Sequence, residues 1–99
     1  MRPIHIAHLD KARPVLLLTR ELVRPHLTTV TVAPITTTVR GLSSEVPLHA
    51  ANGLAGPSAA SCDNITTIPA DTLGAQIGVL LDRQEPALSR AIQAAFDLD

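Results

Sequence analysis

The stretch Ala12-Arg13-Pro14-Val15-Leu16-Leu17-Leu18-Thr19-Arg20 decides the fold class. A cation and a proline stand directly before an unbroken apolar run. The run is too short to cross a membrane and reads as a strand buried on both faces. Proline has no backbone donor, which suits a strand's first residue or an edge. The strand is therefore expected from Pro14 to Thr19, with Arg13 at its mouth. A guanidinium at the rim of a rigid element can reach water and grip a phosphate with a planar fork of donors.

Working outward, Ile4–Leu9 reads as a first strand with Ile4, Ile6 and His8 on one face and His5, Ala7 and Leu9 on the other. Asp10-Lys11-Ala12 is a tight connection. Arg20–Leu27, interrupted by Pro25, reads as a loop with at most one helical turn. Thr28–Ile35 is rich in β-branched residues and reads as the third strand, with Pro34 suggesting an edge or a bulge. A fourth, edge strand is expected at Glu45–His49. Asn52-Gly53 and Gly56-Pro57 read as turns. A fifth strand is expected across Ser58–Ile68 and a last one at Gln76–Leu81, with a short helical segment at Pro69–Gly74 between them. Asp82 and Glu85 fit a capping box, and Leu88, Ala91, Ile92, Ala95 and Phe96 form one apolar stripe of a helix. The expectation is a mainly β, barrel-like small sheet with a C-terminal helix, in a single domain of residues 1–99.

Composition narrows the function classes. The chain is 45% hydrophobic, as a globular domain is, and a domain this short often pairs with a second copy. One Phe is its whole aromatic content, so base stacking on aromatic rings is nearly excluded. Net charge is −1, which argues against coating nucleic acid by bulk charge. The charge is uneven: residues 1–49 hold six cations against three carboxylates, residues 50–99 two against six. Any contact with nucleic acid is therefore expected at a local site in the first half. The lone Cys62 and the lack of a signal-peptide pattern point to a cytoplasmic protein. Four scattered histidines and one cysteine supply no metal-ligand spacing. Hydroxyls at Thr36, Thr37 and Thr38, followed by Arg40, can hydrogen-bond phosphate oxygens.

Taken together, Arg13-Pro14-Val15-Leu16, Val32-Ala33-Pro34-Ile35-Thr36, and Cys62-Asp63-Asn64 followed by Thr67-Ile68 resemble the MazF/PemK family of toxin endoribonucleases. The resemblance runs from about Ile4 to Phe96. It implies a small SH3-like barrel of the MazF/CcdB type that forms a homodimer. It implies metal-independent, sequence-specific cleavage of single-stranded RNA, in mRNA or in loops of structured RNA, without a cofactor. In that chemistry the ribose 2′-hydroxyl attacks the neighbouring phosphate and leaves a 2′,3′-cyclic phosphate and a 5′-hydroxyl. The catalytic arginine maps onto Arg13 and the catalytic hydroxyl onto Thr36. Lys11, Thr37, Thr38, Arg40 and Asn64 are the expected RNA contacts, His8 is a candidate general base, and a MazE-like antitoxin is the expected protein partner. The chain departs from the family in its short Asp10–Ala12 connection, its lack of first-strand aromatics, and Thr66-Thr67 in place of an Arg-Thr pair. Two alternatives share the ancestry: a CcdB-like toxin that binds gyrase without catalysis, and an inactive relative that only binds RNA or antitoxin.

Overall fold

In a computed structural model that describes residues 1–98, seven strands build one curled antiparallel sheet closed by a C-terminal helix. The strands are β1 (Pro3–His8), β2 (Ala12–Leu17), β3 (Thr29–Thr36), β4 (Glu45–Leu48), β5 (Ser58–Ser61), β6 (Thr66–Pro69) and β7 (Leu73–Val79), and the helix is α1 (Glu85–Ala95). The sheet order is β4-β5-β3-β2-β1-β7, and β6 pairs with β3 on the same side as β5. The small barrel expected from the sequence is this half-barrel.

Alternation along β1 holds, because its register with β2 is regular and pairs Ile4 with Leu16 and Ala7 with Arg13. Both faces of the sheet are covered. Ile4, Leu16, Ala33 and Ile35 join Val46, Leu48, Leu80, Leu88 and Ala91 in one buried cluster. Ala7, Val15, Leu17, Val30, Val32 and Ile68 form the other. The apolar run of β2 thus feeds two cores, which is why it shows no polar face. Each fully buried Leu or Val contributes about 1.5–3 kcal/mol.

Several sequence expectations are corrected. The second strand runs Ala12–Leu17 rather than Pro14–Thr19, so Arg13 lies within it, paired to β1. The single fifth strand is two, β5 and β6, separated by a 3₁₀ turn at Cys62–Asn64 that buries the Cys62 side chain. They pair with successive parts of β3: Thr66–Pro69 along Thr29–Val32, then Ala59 and Ala60 along Ile35–Thr36. Pro34 is not at an edge, since β3 is central. The Thr31 carbonyl accepts from Leu18 N at 2.9 Å, so Thr31, Ala33 and Ile35 point their backbone groups at β2. Pro34 points the other way, into the gap where the partner changes from β6 to β5, so its missing donor interrupts neither ladder. The last strand runs Leu73–Val79, earlier than expected; Leu80 just past it still donates its N–H to Arg2 O at 2.8 Å and buries its side chain in the core.

At the helix start, a 3₁₀ turn over Asp82–Gln84 replaces the Asp82–Glu85 box. Gln84 Oε1 accepts from Leu81 N at 2.8 Å, while Glu85 pairs with Arg2 Nε at 3.0 Å and ties α1 to the start of β1. Pro86 sits in the first turn, where no donor is needed. Leu88 and Ala91 are buried and Ile92 and Ala95 pack beside them, but Phe96 lies past the helix end and is 56% exposed.

A buried polar node holds this end together. Asn52 is fully buried in a 3₁₀ turn at Ala50–Asn52. Its Nδ2 donates to Val79 O at 2.9 Å and Gln84 Oε1 at 2.7 Å, and its Oδ1 accepts from His49 N at 3.2 Å and Gln84 Nε2 at 3.3 Å. That uses both donors and both lone pairs of the amide. Gly53, with φ +85°, and Gly78 let this turn approach β7: a Cβ on Gly53 would strike the Ile77 carbonyl, and one on Gly78 the Asn52 carbonyl.

Candidate active site

The register between β2 and β3 pairs Val15 with Pro34, Leu16 with Ala33 and Leu17 with Val32. Leu18 N points at β3, so in β2 the even-numbered residues face that strand. Pro14 faces it too and is the one residue there that cannot donate. The ladder stops at Val15. Continued by two residues, its register would set Arg13 opposite Thr36 on one face, at a mouth the proline leaves unzipped. On its other side Arg13 pairs with Ala7, whose small, fully buried side chain leaves the long guanidinium stem room.

A cleft of about 590 Å³ opens at this point, lined by Arg13, Pro34, Ile35, Thr36, Thr38, Arg40, Leu42, Glu45, Ser61, Asp63 and Asn64. Its size falls within the about 300–1,000 Å³ typical of small-ligand sites, enough for one or two nucleotide units. Three segments build it: the parted ends of β2 and β3, the loop from β3 to β4, and the Cys62–Asn64 turn.

Hydrogen bonds set the state of each group. Thr36 Oγ1 accepts from Thr38 N at 3.0 Å, which leaves the hydroxyl proton to donate elsewhere. Asn64 Nδ2 donates to Ser61 Oγ at 2.8 Å. Asp63 Oδ2 accepts from the Ser44 hydroxyl at 2.6 Å. Glu45 Oε1 accepts from three consecutive backbone amides, Arg40 at 3.2 Å, Gly41 at 2.8 Å and Leu42 at 3.1 Å. Next to Asp63, the buried Cys62 thiol is pushed up from its ordinary range by burial first and by the Asp63 charge second.

The cleft brings together Arg13, Thr36, Thr38, Arg40 and Asn64 from the residues singled out in the sequence. It does not include Lys11, Thr37 or His8. Lys11 is exposed in the β1–β2 turn, and Thr37 is exposed beyond the end of β3. The His8 ring lies against Gly74 of β7, on the far side of β1 from β2. His5, on the opposite face of β1, bonds Gly74 O through Nδ1 at 2.9 Å. Sequence reasoning missed Glu45, Ser61 and Asp63 as cleft residues. The Cys62-Asp63-Asn64 motif carried a signal for Asp63, whereas Glu45 had none, because its role depends on a loop folding back on it. Among the described residues no three His, Cys, Asp or Glu side chains converge as a metal-ligand set.

The family model described as PemK-like, MazF-like toxin of type II toxin-antitoxin system matches residues 3–96. Over all 99 residues the chain is 74% identical to Endoribonuclease MazF3 of Mycobacterium tuberculosis and covers 96% of that protein. It is similar to the solved structure of Mycobacterium tuberculosis toxin MazF-mt6, with TM-score 0.96, 73% identity and 99% of each chain covered. A mycobacterial endoribonuclease in complex with its cognate antitoxin has the same fold at TM-score 0.86 and 23% identity, over 98% of this chain and 93% of that one.

Proposed function

This chain belongs to the PemK-like, MazF-like family of type II toxins and is an endoribonuclease, and on that premise we propose that the cleft at the parted ends of β2 and β3 is where it cuts RNA. The single observation that supports the reading is that Arg13 and Thr36, from two different strands, line the same cleft. Gyrase binding and an inactive, RNA-holding role are not favoured.

A ribose 2′-oxygen attacks the adjacent phosphorus, and negative charge grows on the phosphoryl oxygens. Arg13 donates two parallel hydrogen bonds there and Thr36 a third. The bond from phosphorus to the 5′-oxygen breaks, and that oxygen takes a proton from the guanidinium or from water. The products are a 2′,3′-cyclic phosphate and a 5′-hydroxyl. The 2′-proton needs an acceptor, and a guanidinium, which carries donors only, cannot be one. Two carboxylates line the cleft. Glu45 is occupied by amides, while Asp63 engages the Ser44 hydroxyl through Oδ2, which supports Asp63 Oδ1 as the acceptor. Arg40, Thr38 and Asn64 hold the flanking chain, with base recognition by hydrogen bonds rather than stacking.

No metal ion has a step in this scheme. We place the reaction in the cytoplasm; among the described residues no helix is long and apolar enough to cross a membrane. The relative solved with its own antitoxin supports a cognate antitoxin as one partner; a second copy of this short chain is the other partner we propose.

The test is cleavage of a long RNA by purified protein in EDTA. Wild type is expected to cut and Arg13→Ala not to. Thr36→Ala should lose about 10²–10³ in kcat, the size of one oxyanion donor. Asp63→Asn, which keeps an acceptor for Ser44, should lose kcat at unchanged fold, and His8→Ala should stay within about threefold of wild type. Equal cutting by wild type and Arg13→Ala would remove the assignment.

A further inference from the structure

Glu45 stands at the first position of β4 and is half-buried in a cleft meant for a polyanion. A bare carboxylate there would repel phosphate. This one is met by backbone donors. Three successive amide N–H groups, from Arg40, Gly41 and Leu42, close on its Oε1, and Arg40 N also reaches Oε2 at 3.3 Å. Gly41 supplies the positive φ of +73° that turns consecutive amides inward, and Glu45 N returns a bond to Leu42 O at 3.0 Å. Concave runs of amides of this kind are anion-binding nests. Here the anion is built into the chain.

We propose that Glu45 is a positioning residue for RNA: its carboxylate fills the amide nest of the β3–β4 loop and so holds Arg40 at the rim of the cleft. Two effects follow from the one contact. The carboxylate's charge is partly balanced by the three amide dipoles of the loop, which lessens its repulsion of the substrate. The loop, which has no strand pairing between Thr36 and Glu45, gains a fixed backbone at the residue whose side chain meets the flanking phosphate. The proposal rests on the cleft being the RNA site.

The test compares Glu45→Ala and Glu45→Gln, each with Arg40 present and with Arg40→Ala, on a short single-stranded RNA in EDTA. Glu45→Ala should raise KM about tenfold, the size of one charge-assisted contact, with kcat within about twofold. Glu45→Gln retains a carbonyl acceptor for the nest and should stay within about threefold in KM. In the Arg40→Ala background, Glu45→Ala should add less than about twofold, because the two residues act as one unit. Hydrogen exchange should show the Arg40, Gly41 and Leu42 amides losing protection in Glu45→Ala and keeping it in Glu45→Gln, with strand amides unchanged. Independent, multiplicative effects of Glu45 and Arg40 would overturn the proposal, as would a fall in kcat at constant KM. Global unfolding of Glu45→Ala would make Glu45 a folding residue and overturn it too. Unchanged KM in Glu45→Ala, beside an inactive Arg13→Ala, would sink this proposal alone and leave the RNA site standing.

Discussion

Replacing Asn52 by Leu removes a side chain of similar size whose hydrogen-bonding capacity is fully used. The Val79 carbonyl and the His49 N–H each lose a partner. Stranding a backbone group costs about 1–3 kcal/mol, and these bonds are only part-buried, so together they account for about 2–4 kcal/mol. Gln84 loses Asn52 but keeps Leu81 N, and being half-buried it can turn toward water at little further cost. A buried leucine returns about 1 kcal/mol of apolar transfer. The net is a loss of about 1–3 kcal/mol, a large share of what holds a small domain together. At about 4–8 °C per kcal/mol for this chain length, Tm should fall by roughly 4–24 °C. Thermal unfolding followed by far-ultraviolet circular dichroism measures it. Asn52 is not among the cleft residues, so at 10 °C the variant should still cut RNA at near the wild-type rate. A Tm drop smaller than about 4 °C would show that the node is not what joins the Ala50–Asn52 turn, β7 and the start of α1.

Two further outcomes test the packing. Gly78→Ala needs no positive φ, so its cost is overlap of the new methyl with the Asn52 carbonyl; overpacking of this kind costs about 1–3 kcal/mol, and an unchanged Tm would refute the close approach. Cys62 should resist a thiol reagent in the native protein at pH 7 and react once urea unfolds it, since it is buried and its thiol holds its proton. The same shift makes stability pH-dependent. The unfolded thiol ionises first, near its ordinary value of about 9.0, so the contribution is complete below that pH and is lost as pH rises through the higher folded value. Denaturant titrations of wild type and Cys62→Ala between pH 7 and pH 10 should converge as the pH rises.

Much of the functional reading was legible along the chain. Arg13-Pro14 before an apolar run and threonines after a β-branched run both follow from local residue chemistry, and their order along the chain carried the family resemblance. The β-rich class and the terminal helix were legible for the same reason: alternation and a 3.6-residue stripe are local patterns. The failures were at positions where a residue's role depends on something distant. Pro34 read as an edge residue because nothing nearby shows that β3 changes partner there. Ser58–Ile68 read as one strand because the Cys62 turn is stabilised by burial, not by a breaker. Phe96 fitted the helical stripe, yet the helix ends at Ala95 and leaves it half in water.

By itself the sequence determined the strand-forming runs, the helix and the two groups that can meet a phosphate, because propensity, periodicity and side-chain chemistry act over a few residues. Only the tertiary structure decided that Arg13 and Thr36 share a mouth, that His8 is turned away against Gly74, that Glu45 is consumed by its own loop, and that Asn52 reaches Gln84 across 32 residues. Strand register and loop closure are settled by which distant surfaces pack together. No local pattern encodes a hydrogen bond whose partner arrives only when the sheet has curled.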